Sequence, residues 1–137
     1  MKDLVMLPAL FVSHGSPMLV LTDSPARDFL RGLGRAIGRP SAILVASAHW
    51  ETRVPAFNAV ARNATIHDFY GFPPELFAIQ YEPPGAPDLA RQAAGLLAAA
   101  GFETGIDTER GLDHGAWVPL SLMYPGADIP VLQVGIQ

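Results

Sequence analysis

Four histidines stand in short, distinctive strings of this chain: Val12-Ser13-His14-Gly15-Ser16-Pro17, Ser47-Ala48-His49-Trp50, Thr65-Ile66-His67-Asp68-Phe69 and Gly111-Leu112-Asp113-His114-Gly115. Imidazole is the commonest metal-binding side chain and titrates near neutral pH, so such strings are candidates for metal or proton chemistry. His14 and His49 each follow a strongly apolar, β-like run. Side chains at the carboxyl ends of neighbouring parallel strands converge over one crevice, where open α/β sheets place their ligands. The pattern predicts a mononuclear metal site shared by His14 and His49. Parallel strands lie about 4.8 Å apart, and two nitrogens bound at about 2.1 Å to a tetrahedral metal lie roughly 3.4 Å apart, a gap that rotamers close. The competing reading is two unrelated core histidines.

The other two histidines leave alternatives open. His114 lies at a predicted helix start, where the dipole disfavours imidazolium and keeps the ring neutral. It either contacts substrate, or faces water while Asp113 caps the helix. His67 precedes Asp68, Phe69 and Tyr70 in an aromatic, proline-stiffened stretch. That stretch either walls a pocket for a flat ring or plugs the sheet. Ser16 lacks the Gly-x-Ser-x-Gly elbow of a nucleophilic serine, and Arg53 reads as a surface cation.

The elements that must position these residues are legible in outline. Leu7 to Val12 reads as a buried strand that Gly15 and Pro17 end. Ser24-Pro25 starts a helix with Phe29, Leu30, Leu33 and Ile37 at helical spacing, and Gly38 and Pro40 stop it. Ala42 to Ala46 is a second buried strand, completing a right-handed βαβ unit. From Glu51 to Pro87 the periodicity fades into a long loop of the lid or wall type, with a short strand at Ala56 to Ala61. Asp88 to Ala100 forms a helix with Leu89, Leu96 and Leu97 on its apolar face and Gly101 as C-cap. Phe102 to Ile106 is a strand, His114-Gly115 opens a helix over Trp117 to Met123, and Ile129 to Ile136 is a strand. The expected fold is α/β, a mainly parallel sheet flanked by helices in one domain over residues 1–137. Its last strand reads as interior yet has no closing helix after it, so the domain reads as incomplete.

Bulk properties narrow the partners. Half of the 137 residues are hydrophobic and 16% are charged, which excludes extended disorder. The net charge is -4 and the basic residues form no stripe, so no nucleic-acid partner is expected. There is no cysteine, so any metal must be held by nitrogen and oxygen ligands. Asp3 and Pro8 argue against a signal peptide, and no apolar run has the roughly 18 residues of a membrane helix. A cytoplasmic location without membrane attachment is the expectation.

Taken together, the strings resemble the class III extradiol ring-cleavage dioxygenases, in particular the DOPA 4,5-dioxygenase extradiol branch. The matching pieces are Pro8-Ala9-Leu10-Phe11 leading to His14-Gly15-Ser16-Pro17-Met18, then Ser47-Ala48-His49-Trp50, then Thr65-Ile66-His67-Asp68-Phe69 with Gly71-Phe72-Pro73. Asp113-His114-Gly115 with Trp117, and Tyr124-Pro125 with Asp128-Ile129-Pro130, follow in order. The resemblance implies His14 and His49 as metal ligands and His114 as the active-site histidine that contacts substrate or oxygen. On the pocket-wall reading of their stretch, His67, Phe69 and Tyr70 are the candidate contacts to a catechol-type substrate. The resemblance further implies non-haem Fe(II), with Zn(II) possible in the same site, and cleavage of a catechol ring beside its two hydroxyls by dioxygen. A facial set of three protein ligands leaves adjacent positions open for both substrates. Members of that family are longer, and the further half carries the third ligand in a Pro-Glu-His-like string and an acid/base histidine in a Val-His-Asn string. Neither string occurs here. The chain therefore reads as an N-terminal half, expected either to self-associate or to meet a C-terminal half that supplies the third ligand. The alternatives are a non-catalytic half-domain that pairs with another chain, and a tetrapyrrole metal chelatase, whose first strand also ends in His-Gly-Ser.

Overall fold

Strands β1 (Ile43–Glu51), β2 (Ala56–Asn58), β3 (Gly105–Asp107) and β4 (Val131–Ile136) form one sheet in the order β1-β4-β2-β3 in the computed structural model, which describes residues 7–137. β1 runs parallel to β4 with Ile43 opposite Val131, and β2 runs parallel to β3. Only the β2–β4 pair, Phe57 opposite Val134, is antiparallel. This is the mainly parallel α/β sheet that the apolar runs predict.

Helices α1 (Pro25–Ile37), α2 (Pro74–Phe77), α3 (Pro87–Ala99) and α4 (His114–Met123) flank it. α1 begins as its sequence dictates: the Ser24 hydroxyl accepts the Arg27 N–H, Pro25 stands in the first turn, and Gly38 ends the helix at φ +88°. α1 and α4 pack on one another over the face carrying Ile43, Val45 and Val131. Their approach is close, since a Cβ at Gly34 would lie 2.1 Å from the Met123 carbonyl oxygen. α3 covers the opposite face over Phe57 and Leu132. It reaches β2, β3 and β4 but leaves the same face of β1 open, and Leu44 is 55% exposed.

Several expectations are corrected. Residues 7–12 form no strand: Phe11 is fully exposed, and no backbone hydrogen bond joins this segment to β1 among the described residues. The βαβ unit therefore lacks its first strand, because an apolar run becomes a strand only when a partner edge meets it. The second strand is longer than its apolar core and continues through His49 to Glu51, with a shift of register between Ala46 and Glu51. α3 buries Ala90 and Ala94, whereas Leu89 and Leu96 are exposed. Small side chains let that helix lie close to the sheet. Phe102 is exposed as well, and β3 starts only at Gly105. The helix expected over Trp117 to Met123 already begins at His114, which leaves Pro119 inside α4.

The long stretch between β1 and α3 is more ordered than its composition suggests. Two buried amides stitch it down: Asn63 Nδ2 donates to the carbonyls of Pro83, Pro84 and Val131, and Asn58 Nδ2 donates to Asn63 Oδ1 and the Arg110 carbonyl. Asn58 Oδ1 in turn accepts the Gln133 N–H of β4 at 2.6 Å.

Tyr81 closes the same stretch, its hydroxyl donating to the Tyr124 carbonyl at 3.0 Å. Burial, reinforced by Asp128 and Tyr124, raises the Tyr81 phenol above its ordinary range. A free tyrosine ionises near pH 10, so above that pH the unfolded chain has lost a proton that the folded one keeps. Folding stability then falls with rising pH, by up to about 1.4 kcal/mol per pH unit for this one group. Urea titrations between about pH 9 and 12 should resolve that slope, and Tyr81→Phe should flatten it.

Candidate metal centre

His49 lies on β1 two residues after Ser47, so strand alternation sends both toward the N-terminus of α4. His114 is the first residue of α4. His14 comes from the irregular segment before the short helical turn Pro17–Val20, where Ser16 Oγ accepts the Met18 N–H and Gly15 adopts φ +59°. Only one of the two histidines expected at strand ends is therefore on a strand, and it lies within it rather than beyond it. The rings meet all the same: His14 Nε2 and His49 Nε2 are 3.0 Å apart. His114 joins them, with ring centroids 4.9 Å from His14 and 4.0 Å from His49. One nitrogen from each of the three lies within 4.8 Å of the others.

Each ring is held differently. Asp68 Oδ1 accepts both the His114 Nδ1–H at 2.8 Å and the His114 backbone N–H at 3.1 Å. Burial alone would raise the Asp68 carboxyl, but these two hydrogen bonds outweigh it and hold the group below its usual range. An ionised carboxylate only accepts, so the proton of the His114 ring sits on Nδ1 and Nε2 is left to face the other imidazoles. Asp68 thus caps α4, and His114 is buried rather than turned to water. Burial, followed by the proximity of His114 and His49, lowers the pKa of His14. Lowering favours the neutral ring, the form that offers a lone pair to a metal.

Asp113, expected as the cap, instead sits fully buried beneath the cluster. Its carboxyl group accepts from Ser47 Oγ at 2.7 Å, from Arg110 Nη2 at 3.2 Å and from Gln133 Nε2. Ser47 Oγ also accepts the His49 N–H at 3.2 Å. One carboxyl group therefore ties together β1, β4 and the start of α4. Gly115 completes the fit, since a Cβ there would stand 2.3 Å from Ser47 Oγ and 2.9 Å from His49 Cδ2. Ser47 and Asp68 carry no role in the sequence reading, and Asp113 appears there only as a possible helix cap. The signal for Ser47 was its even spacing from His49, hidden as long as the strand was ended at Ala46.

The remaining expected site residues fall around this centre. Phe69 stands 5.7 Å from the His114 ring, between centroids. His67 does not join the three imidazoles: its Nε2 is 2.8 Å from the Ile79 carbonyl, and its ring packs on Phe69 and Trp117. Tyr70 is 92% exposed. Arg53 pairs with Glu103 at the surface. Three clustered imidazole nitrogens, one of them biased to its neutral form, suit a divalent ion with a preference for nitrogen. No helix among the described residues is long and apolar enough to cross a membrane.

Residues 8–137 match the family described as the catalytic LigB subunit of aromatic ring-opening dioxygenase. A 4,5-DOPA dioxygenase extradiol of Beta vulgaris is 53% identical over 131 residues, covering 93% of this chain and 49% of the relative. One from Escherichia coli K12 is 46% identical over 140 residues, covering 98% of this chain and 51% of the relative. A crystal structure of an uncharacterized protein from Escherichia coli K12 superposes with a TM-score of 0.65 at 37% identity, covering 83% of this chain and 41% of that one. The chain spans about half the length of the curated relatives it matches.

Proposed function

Because this chain belongs to the LigB family of aromatic ring-opening dioxygenases, we propose that it forms the histidine-bearing half of a metal-dependent extradiol dioxygenase acting on a DOPA-like catechol. His14 and His49 are the metal ligands, and His114 meets the substrate. The observation that carries this reading is the convergence of three imidazoles on one point, with the His14 and His49 nitrogens 3.0 Å apart. Fe(II), when bound, supplies the redox capacity that joins an aromatic diol to dioxygen, whereas Zn(II), lacking redox chemistry, would occupy the ligands without supplying it. The third protein ligand comes from the half of the family fold that this sequence does not contain.

The chain's own residues do the rest. Asp68 fixes the tautomer of His114, so that Nε2 presents a lone pair able to accept the proton of a catechol hydroxyl. Phe69, edge-on to His114, offers an aromatic wall against which a flat ring can lie. His67, locked to the Ile79 carbonyl, backs that wall, and Tyr70 lies on its solvent side.

The test joins this chain end to end with the unmatched half of the Beta vulgaris relative, loads Fe(II), and adds a catechol such as DOPA in air. The expected result is oxygen consumption with a yellow ring-opened product. His114→Ala should keep the metal and lose about 10²–10⁴-fold in rate. An iron-loaded fusion that binds catechol yet consumes no oxygen would refute the ring-cleavage reading and favour a non-catalytic role.

A further inference from the structure

We infer that the gap between residues 7–12 and β1 is a slot for one apolar β-strand, supplied by the half of the LigB fold that the longer relatives carry and this sequence does not. The inference rests on the family assignment and not on ring-cleavage chemistry. A cavity of about 710 Å³ separates the two walls. One wall is the extended segment carrying Leu10 and Phe11; the other is Leu44 and Ala46 of β1; Ile37 of α1 and Met123 of α4 form part of the floor. The lining is almost wholly apolar although the cavity is open, and Phe11, Leu10 and Leu44 stand exposed in it.

Backbone chemistry specifies the occupant. β1 is the edge of the sheet and, among the described residues, pairs only with β4. The Ile43 N–H donates to the Pro130 carbonyl on the β4 side, so alternation turns the amides and carbonyls of Leu44 and Ala46 outward into the slot. Residues 7–12 face it from the other side with their own backbone groups unpaired among the described residues. A long, apolar edge strand is a template for pairing. A strand inserted here bonds on both sides and packs on both faces, so it must be nearly continuously apolar, as central strands of parallel sheets are.

A second copy of this chain does not meet that description. Its own free edges are β1, which two-fold pairing would set against β1 while leaving residues 7–12 unpaired, and the three-residue β3. The relatives, by contrast, carry about as much chain again outside the matched residues. The slot also has a direction, because one wall runs into His14 and the other into His49. A strand lying between them ends beside the imidazole pair, where a further donor is needed.

The experiment co-expresses this chain with a tagged polypeptide consisting of the unmatched half of the Beta vulgaris relative, with neither metal nor catechol added. A one-to-one complex is expected, and amide exchange at Leu44, Ala46 and residues 9–12 should slow on the order of 100-fold relative to the chain alone. Leu44→Asp and Phe11→Asp, both at exposed positions, should abolish co-purification while leaving the melting temperature of the isolated chain unchanged. Leu96→Asp, on the exposed side of α3, should not. Absence of a complex, a complex that leaves those amides fast or survives Leu44→Asp, or an isolated chain that is a dimer with those amides protected would each overturn the slot. None of these readouts depends on turnover, so they stand apart from the ring-cleavage test.

Discussion

His14→Ala and His49→Ala each lose divalent-metal binding by more than about 100-fold, while the chain keeps its circular dichroism spectrum and melting temperature. Even an outer partner of a metal ligand is worth about 10–100-fold in affinity, so removing a ligand atom itself costs more. The fold survives because neither ring carries the core: His49 is exposed and His14 half-buried. Calorimetric titration with Zn(II) or Co(II) is the measurement, and His67→Ala is the control, since that ring is committed to the Ile79 carbonyl. Two variants that bind metal as the parent does would break the link between the 3.0 Å approach of these nitrogens and metal chemistry.

Asp113→Ala is the most destabilising single change expected. It leaves Arg110, Gln133 and Ser47 without the acceptor they share in a fully buried position. Breaking a buried ion pair by removing one partner costs about 3–5 kcal/mol, against a total stability of about 5–15 kcal/mol for a domain. Asp113→Asn separates charge from shape. Turned so that its oxygen meets Arg110 and Gln133, the amide still accepts from both and donates to Ser47. The penalty should then fall to about 1–3 kcal/mol, the scale of one impaired charged hydrogen bond. Chemical denaturation of the three proteins checks this order. An Asn variant as unstable as the Ala variant would mean that the charge, and not the hydrogen-bonding shape, holds the three elements together.

The legibility of this chain follows the reach of each interaction. α1 was readable to the residue at its start, because Ser24, Pro25 and Arg27 fix it within a single turn. The sheet class was readable from continuous apolar runs, and the approach of His14 to His49 from two of the four histidine strings, whereas the His67 string leads elsewhere. What failed depended on partners distant along the chain. Leu7 to Val12 has every property of a buried strand except an edge to bond with. The leucines of α3 mark an apolar face that the alanines occupy, because close approach to Phe57 and Leu132 favours small side chains. Asp68 caps a helix 46 residues away, and Asp113, adjacent to that helix, turns from it to reach Ser47, 66 residues off. No local pattern records either choice.

The amide pair Asn58 and Asn63 has a kinetic consequence for access to the imidazoles. A flap that swings aside must release its internal bonds, and this one would surrender several buried carbonyl contacts at once. Asn63 thus pins together the two feet of the loop that bears Asp68 and Phe69, and of the three imidazoles His49 is the one exposed to solvent.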